Sequence, residues 1–246
     1  MAKSKHTWWL DGDLGELVVD GFGGTGLSAD DAAMKARAQE SLQHAEYRLD
    51  THQNRYDLID AVLALKRSMQ TRLEHLDVIY GFKQYPHAKT HGWLGVLEGW
   101  GAVRQRMLRR MNRLRNAVEH DGADPPSLDE CEDYREVVWW FLKATSPLLE
   151  PIADMDFIWG RARGSCDITY NPLRIDLRGN FAPEQLSDSS LPGWMEFRTM
   201  PALALKYKGQ DTPLYVKEDG RYYVCGHSAD WVSAQPFLKA ALSVME

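Results

Sequence analysis

The residues best suited to chemistry lie between Arg104 and His120. Six arginines (Arg104, Arg106, Arg109, Arg110, Arg113 and Arg115) fall within twelve residues, with no acid among them. An exposed helix face usually alternates its charge signs, so that residues four apart attract one another. A run of one sign, all arginine and no lysine, suits bidentate phosphate recognition instead. The run ends in Arg115-Asn116-Ala117-Val118-Glu119-His120. His120 adds a group that titrates near neutrality and can move protons to or from reacting oxygens. Glu119 stands beside it, either as a carboxylate that tunes the imidazole or as the last exposed residue of a helix.

On a helical wheel the segment divides into two stripes. Val103, Met107, Met111, Leu114 and Val118 form an apolar one, and Gln105, Arg109, Asn112, Asn116 and His120 form a polar one opposite it. Arg115-Asn116-x-x-x-His120, at the end of a bundle helix and just before a polar turn, resembles the R-x(4–6)-H signature of the HEPN domain superfamily. In that family a polar residue, often Asn, commonly follows the Arg. The resemblance covers residues 28–150 only.

The resemblance implies a metal-independent endoribonuclease, in the setting of a toxin or defence effector, and a homodimer whose motif helices face each other. Attack of the RNA 2′-OH on the adjacent phosphate would leave a 2′,3′-cyclic phosphate, and DNA would be inert. His120 would move protons, Arg115 would hold the phosphate, and Asn116 would orient either. Arg109, Asn112 and Arg113 are the expected phosphate-binding residues. No cofactor and no metal are expected, and an antitoxin or other protein partner is implied. The alternative is a non-catalytic HEPN module that binds RNA or a protein. Residues five apart on an ideal helix sit ~140° round from each other. Arg115 and His120 therefore share a site only if the helix unwinds before His120 or a second copy completes it.

The elements that would position the motif follow from periodicity. Ser28 reads as an N-cap with Asp30 and Asp31 in the first turn, opening a helix over 29–49. Leu58, Val62, Leu65, Met69, Leu73, Leu76 and Ile79 step by three or four, which predicts a helix over 55–80. Gly81, Pro86 and Gly92 mark a loop over 81–92, and a third helix is expected over 93–119. Asp121-Gly122 and Pro125-Pro126 end it, Ser127 caps a fourth helix over 128–144, and a short helix is expected over 148–157. After about Gly160 the pattern alternates: Ile168 and Tyr170, then Leu173, Ile175 and Leu177. Leu214-Tyr215-Val216 and Tyr222-Tyr223-Val224 flank Asp219-Gly220 as a hairpin, and a last helix is expected over 236–245.

Other candidates are weaker. Gly21-Phe22-Gly23-Gly24-Thr25-Gly26 fits G-x-G-x-x-G, but Arg48 to Tyr56 is too polar to supply the second strand of a dinucleotide fold. His87 and His91 stand four apart with no further ligand beside them. Cys225 and His227 flank Gly226 and read as a buried thiol and an exposed imidazole.

The net charge of −6 over 246 residues excludes a uniformly basic nucleic-acid binder, so RNA contact must be local. Three scattered cysteines suit reduced thiols, and no stretch reaches the ~20 apolar residues of a membrane span, so a cytoplasmic protein is expected. The expected fold is mainly α. Residues 1–27 form a Gly/Trp-rich segment, 28–158 a HEPN-like antiparallel helical bundle, and 159–246 a small mixed β/α region ending in a helix.

Overall fold

The computed structural model describes residues 7–11, 17–24, 26, 28–104, 126–170, 173–187, 190, 195–199, 205–207, 210–212, 214–216, 220–229 and 231–243. The chain forms two compact units. One is helical and spans Gly26–Pro151; the other joins Met1–Thr25 to Ile152–Glu246.

In the helical unit, three helices start on the same device. Helix α1 (Ala29–Asp50) follows Ser28, α2 (Arg55–Tyr80) follows Asn54, and α4 (Leu128–Ala144) follows Ser127. Each cap residue is bonded reciprocally with the acid three positions on: Asp31, Asp57 and Glu130. This capping box satisfies amide donors that a helix start leaves open. Gly81, in the left-handed region at φ 63°, ends α2. Arg48 near the end of α1 meets Asp57 and Asp60 near the start of α2. Asp31 at the start of α1 meets His75 near the end of α2, so the two helices form an antiparallel hairpin. Leu49, Ala61, Val62 and Cys131 lie in one core cluster shared by α1, α2 and α4.

The segment 81–104 departs from expectation. Phe82–Gln84 is a 3-10 turn, and Pro86 opens a helix α3 (Pro86–Gly99) that Gly92 interrupts at φ 70°. Proline is therefore a first-turn residue here, where its missing N–H costs nothing. The helix expected over 93–119 is broken at its start: α3 ends at Gly99, with Gly101 turned to φ 82°, and residues 105–119 lie outside the described residues. The physical cause is local: Gly101 N–H donates to Glu98 O and Ala102 N–H donates to Leu97 O, a glycine helix stop. Trp100 within that stop is buried against Tyr80, with ring centroids 5.0 Å apart, and against Phe82 at 5.6 Å.

The second unit is a nine-stranded sheet in which every pairing of the described strands is antiparallel. Its strands are β1 (Thr7–Leu10), β2 (Leu17–Gly24), β3 (Ile152–Trp159), β4 (Ala162–Tyr170), β5 (Leu173–Phe181), β6 (Leu186–Ser187), β7 (Met195–Thr199), β10 (Leu214–Val216) and β11 (Tyr222–Ser228). The order is β2-β3-β4-β5-β11-β7-β1-β6, with β10 also on β11. Strands β8 (Leu205–Tyr207) and β9 (Gln210–Thr212) pair separately. Helix α5 (Trp231–Ser243) packs on β5, β7 and β11. Phe237 of α5 meets Phe157 edge-on at 5.4 Å.

The mainly α expectation is thus overturned. Residues 7–24 supply two strands of the sheet, and the helical unit is an insertion between β2 and β3, which pair directly. The short helix expected over 148–157 is a 3-10 turn (Pro147–Leu149) followed by β3. Met155, Phe157 and Trp159 are buried while Asp154 and Asp156 are exposed, a period of two that serves a sheet with one covered face. The last helix begins at Trp231 rather than 236.

Candidate functional site

The predicted residues Arg109, Asn112, Arg113, Arg115, Asn116, Glu119 and His120 lie outside the described residues. The structure describes the start of their segment. Val103 is buried and Arg104, the first arginine of the run, is exposed.

Within the described part of the helical unit, the most distinctive chemistry is a cavity of about 490 Å³. Helix α1 contributes Lys35 and Gln39, α2 contributes Arg72, and the end of α4 contributes Trp139, Lys143 and the following Ser146. Its apolar wall includes Ala32, Ala36 and Leu42, and among the described residues no carboxylate lines it.

Arg72 is the centre of the arrangement. It is 3% exposed, and its Nη1 donates to Leu142 O at 2.9 Å and to Thr145 Oγ1 at 3.0 Å. Leu142 O is one of the carbonyls that a helix end leaves open, and the negative end of the α4 dipole attracts the cation. Its Nε is buried with no hydrogen-bond partner. Among the described residues no acid pairs with it, and burial pushes the guanidinium down to about 10. Lys35 and Lys143 also make no ion pair among the described residues; the Lys143 ammonium lies 5.4 Å from the centre of the Trp139 ring. Three cations without an acid make a place for an anion.

One turn along α2 sits a second polar pair. His75 is fully buried, with Nε2 3.0 Å from Asp31 Oδ1 and its Nδ1 unpartnered. Hydrogen bonds from the Ser28 hydroxyl, then from His75, hold the Asp31 carboxyl below its ordinary value. A carboxylate-oriented histidine can do acid–base work, but His75 has no exposed surface and is not among the cavity's lining residues. It joins the ends of α1 and α2.

The other sequence candidates are resolved. Gly21, Phe22 and Gly23 pair with Asp156, Met155 and Asp154 as strand residues, so they form no phosphate loop. A Cβ on Gly23 would meet the exposed Asp154 carboxylate at 2.5 Å, a side chain free to shift. His87 and His91 both fall within α3, and no metal-binding group of three or more ligands occurs among the described residues. Cys131, Cys166 and Cys225 are buried and unbridged. Burial pushes the Cys131 thiol up to about 11 and the Cys166 thiol up to about 12, so neither is a ready nucleophile.

Sequence reasoning missed Arg72, Lys35 and Lys143. The signal for Arg72 was legible: it lies three residues after Met69 and four before Leu76, on the stripe assigned to the core. Lys35 and Lys143 carry no such mark. No family model, curated protein or solved structure matches the chain. No helix among the described residues is long and apolar enough to cross a membrane.

Proposed function

We propose that this protein binds RNA through the Arg104–Arg115 segment and cuts it without a metal, using Arg115, Asn116 and His120. The observation that carries the reading is the run of six arginines, free of acid, that ends in Arg-Asn-x-x-x-His. Two features of the structure support it. The helical unit Gly26–Pro151 nearly coincides with the residues that carry the HEPN resemblance. That unit also holds a cavity with three cations and no acid, a local excess in a chain of net charge −6. In this reading His120 transfers the proton, Arg115 stabilises the charge gained at phosphorus, and a second copy of the chain completes the site.

The test is incubation of the full chain with RNA in EDTA. Cutting that leaves 2′,3′-cyclic ends, spares DNA and falls by roughly 10²–10⁴ in Arg115→Ala and in His120→Ala is the expected result. Light scattering is expected to show a dimer. A folded wild-type protein that binds RNA and leaves it intact overturns the cutting step and leaves a binding module.

A further inference from the structure

We propose that the cavity between α1, α2 and α4 is a binding site for a small phosphomonoester of the nucleoside monophosphate class. The site stands apart from the chemistry assigned to Arg115 and His120.

The argument starts from charge. A guanidinium that is 3% exposed needs a partner of opposite sign. The end of α4 gives Arg72 two acceptors and about half a negative charge. Lys35 and Lys143 line the same cavity as Arg72 and make no ion pair among the described residues. A phosphomonoester carries up to about two negative charges near neutrality and three strong acceptor oxygens, which suit the three cationic residues that line the cavity. Ser146 and Gln39 line the same cavity and add neutral donors.

Size and wall chemistry narrow the ligand. A volume of about 490 Å³ falls in the ~300–1,000 Å³ range of small-molecule sites, and an inorganic phosphate would leave much of it empty. The rest is walled by Trp139, Ala32, Ala36 and Leu42, surfaces that take a flat or apolar body. A phosphate held by Arg72, Lys35 and Lys143 with a planar base toward Trp139 meets both requirements. A purely apolar ligand would leave the cations unpaired, and a carboxylate would supply one charge against three.

The experiment is calorimetric titration and thermal melting of the full chain at low salt with AMP, UMP, adenosine and inorganic phosphate. A 5′-phosphorylated dinucleotide is the arm that tests an RNA end as the source. AMP or UMP is expected to bind saturably and raise Tm, inorganic phosphate to bind more weakly, and adenosine to do neither. Lys35→Glu and Lys143→Glu change side chains outside the core and are expected to weaken binding about tenfold each, the equivalent of ~1.4 kcal/mol. His120→Ala is expected to leave nucleotide binding unchanged, which separates this site from the cutting reaction. Failure of both nucleotides to bind folded wild-type protein at millimolar concentration overturns the proposal. So does binding that both lysine variants leave intact, or binding of the phosphorylated dinucleotide alone.

Discussion

The arginines of the sheet and the buried Arg72 of the helical unit stand in opposite settings. On the open face of the sheet, each arginine of the central strand β5 is matched by a carboxylate. Arg174 pairs with Asp176 at 2.8 Å and Arg178 pairs with Asp167 on β4. Arg198 on β7 reaches Glu196 more loosely, at 3.9 Å. The register explains the Arg178 pair, since Asp167 stands opposite Asp176 and so lies diagonal to Arg178. In the helical unit, Arg72 is buried and has only a helix end for company, with two further cations beside it. A half-exposed, paired arginine is a surface detail of small energetic weight. A buried arginine without an acid holds helices together and leaves charge over for a ligand. Arg72 is thus a functional candidate through its position in the fold, whereas Arg115 is one through local sequence.

Four measurements break or sharpen this comparison. The largest effect is expected in the interior of the sheet rather than among its charges. A Cβ on Gly164 would meet Arg178 O at 2.5 Å and the Phe157 ring at 2.6 Å. Gly164→Val is expected to cost about 3 kcal/mol by overpacking, read as a lower denaturant midpoint. A cost below ~1 kcal/mol would mean that the strands part easily there.

Arg72→Met comes next. It removes bonds to Leu142 O and Thr145 Oγ1 and relieves a desolvated charge, so a net loss of about 2 kcal/mol is expected from the ~1.5–3 kcal/mol range for charged hydrogen bonds. A stabilised variant would mean that the buried charge is a burden the fold carries for function alone.

Acid stability is third. The Asp31 carboxyl is held below its ordinary value by Ser28 and then His75. Backbone amides hold Asp57 and Glu130 down in the same way. A depressed carboxylate contributes stability that is fully present above its unfolded pKa and is lost as pH falls through its lower folded pKa. Helical circular dichroism during denaturant titration is therefore expected to weaken below about pH 4, and less so in Asp31→Asn. An equal acid loss in that variant would remove Asp31 from the account. The smallest effect belongs to Arg178→Ala. Its exposed pair with Asp167 is expected to change stability by less than ~1 kcal/mol, and that change is expected to shrink in high salt.

Much of the helical unit was legible because its signals are local. Ser28 with Asp31, and Ser127 before Glu130, mark helix starts within four residues, and the stripe from Leu58 to Ile79 needs only its own periodicity. The sheet was less legible. Ile168 to Leu177 alternates and is strand, but Ile152 to Trp159 follows Pro147, Leu148, Leu149 and Pro151, a stretch that read as the approach to a helix. Its partner β2 lies more than a hundred residues earlier, and pairing at that distance leaves no mark in a local window. The stop at Gly99 was missed for a different reason. The arginine stripe continues the helical period and hid a local signal, Gly101, which ends the helix at φ 82° with bonds to Glu98 O and, through Ala102, Leu97 O.

By itself, then, the sequence determined where the long helices begin, that Arg104 to His120 is a one-signed segment ending in an Arg-Asn-x-x-x-His motif, and that its thiols lie far apart along the chain. Tertiary structure alone decided that residues 7–24 complete a sheet with residues 152–228, because strand pairing is a long-range hydrogen-bonding choice. It alone decided that Arg72, Lys35 and Lys143, carried on three helices, face one cavity without an acid among them. Charge balance inside a protein depends on which side chains share a volume, and residue order does not contain that information until the chain is packed.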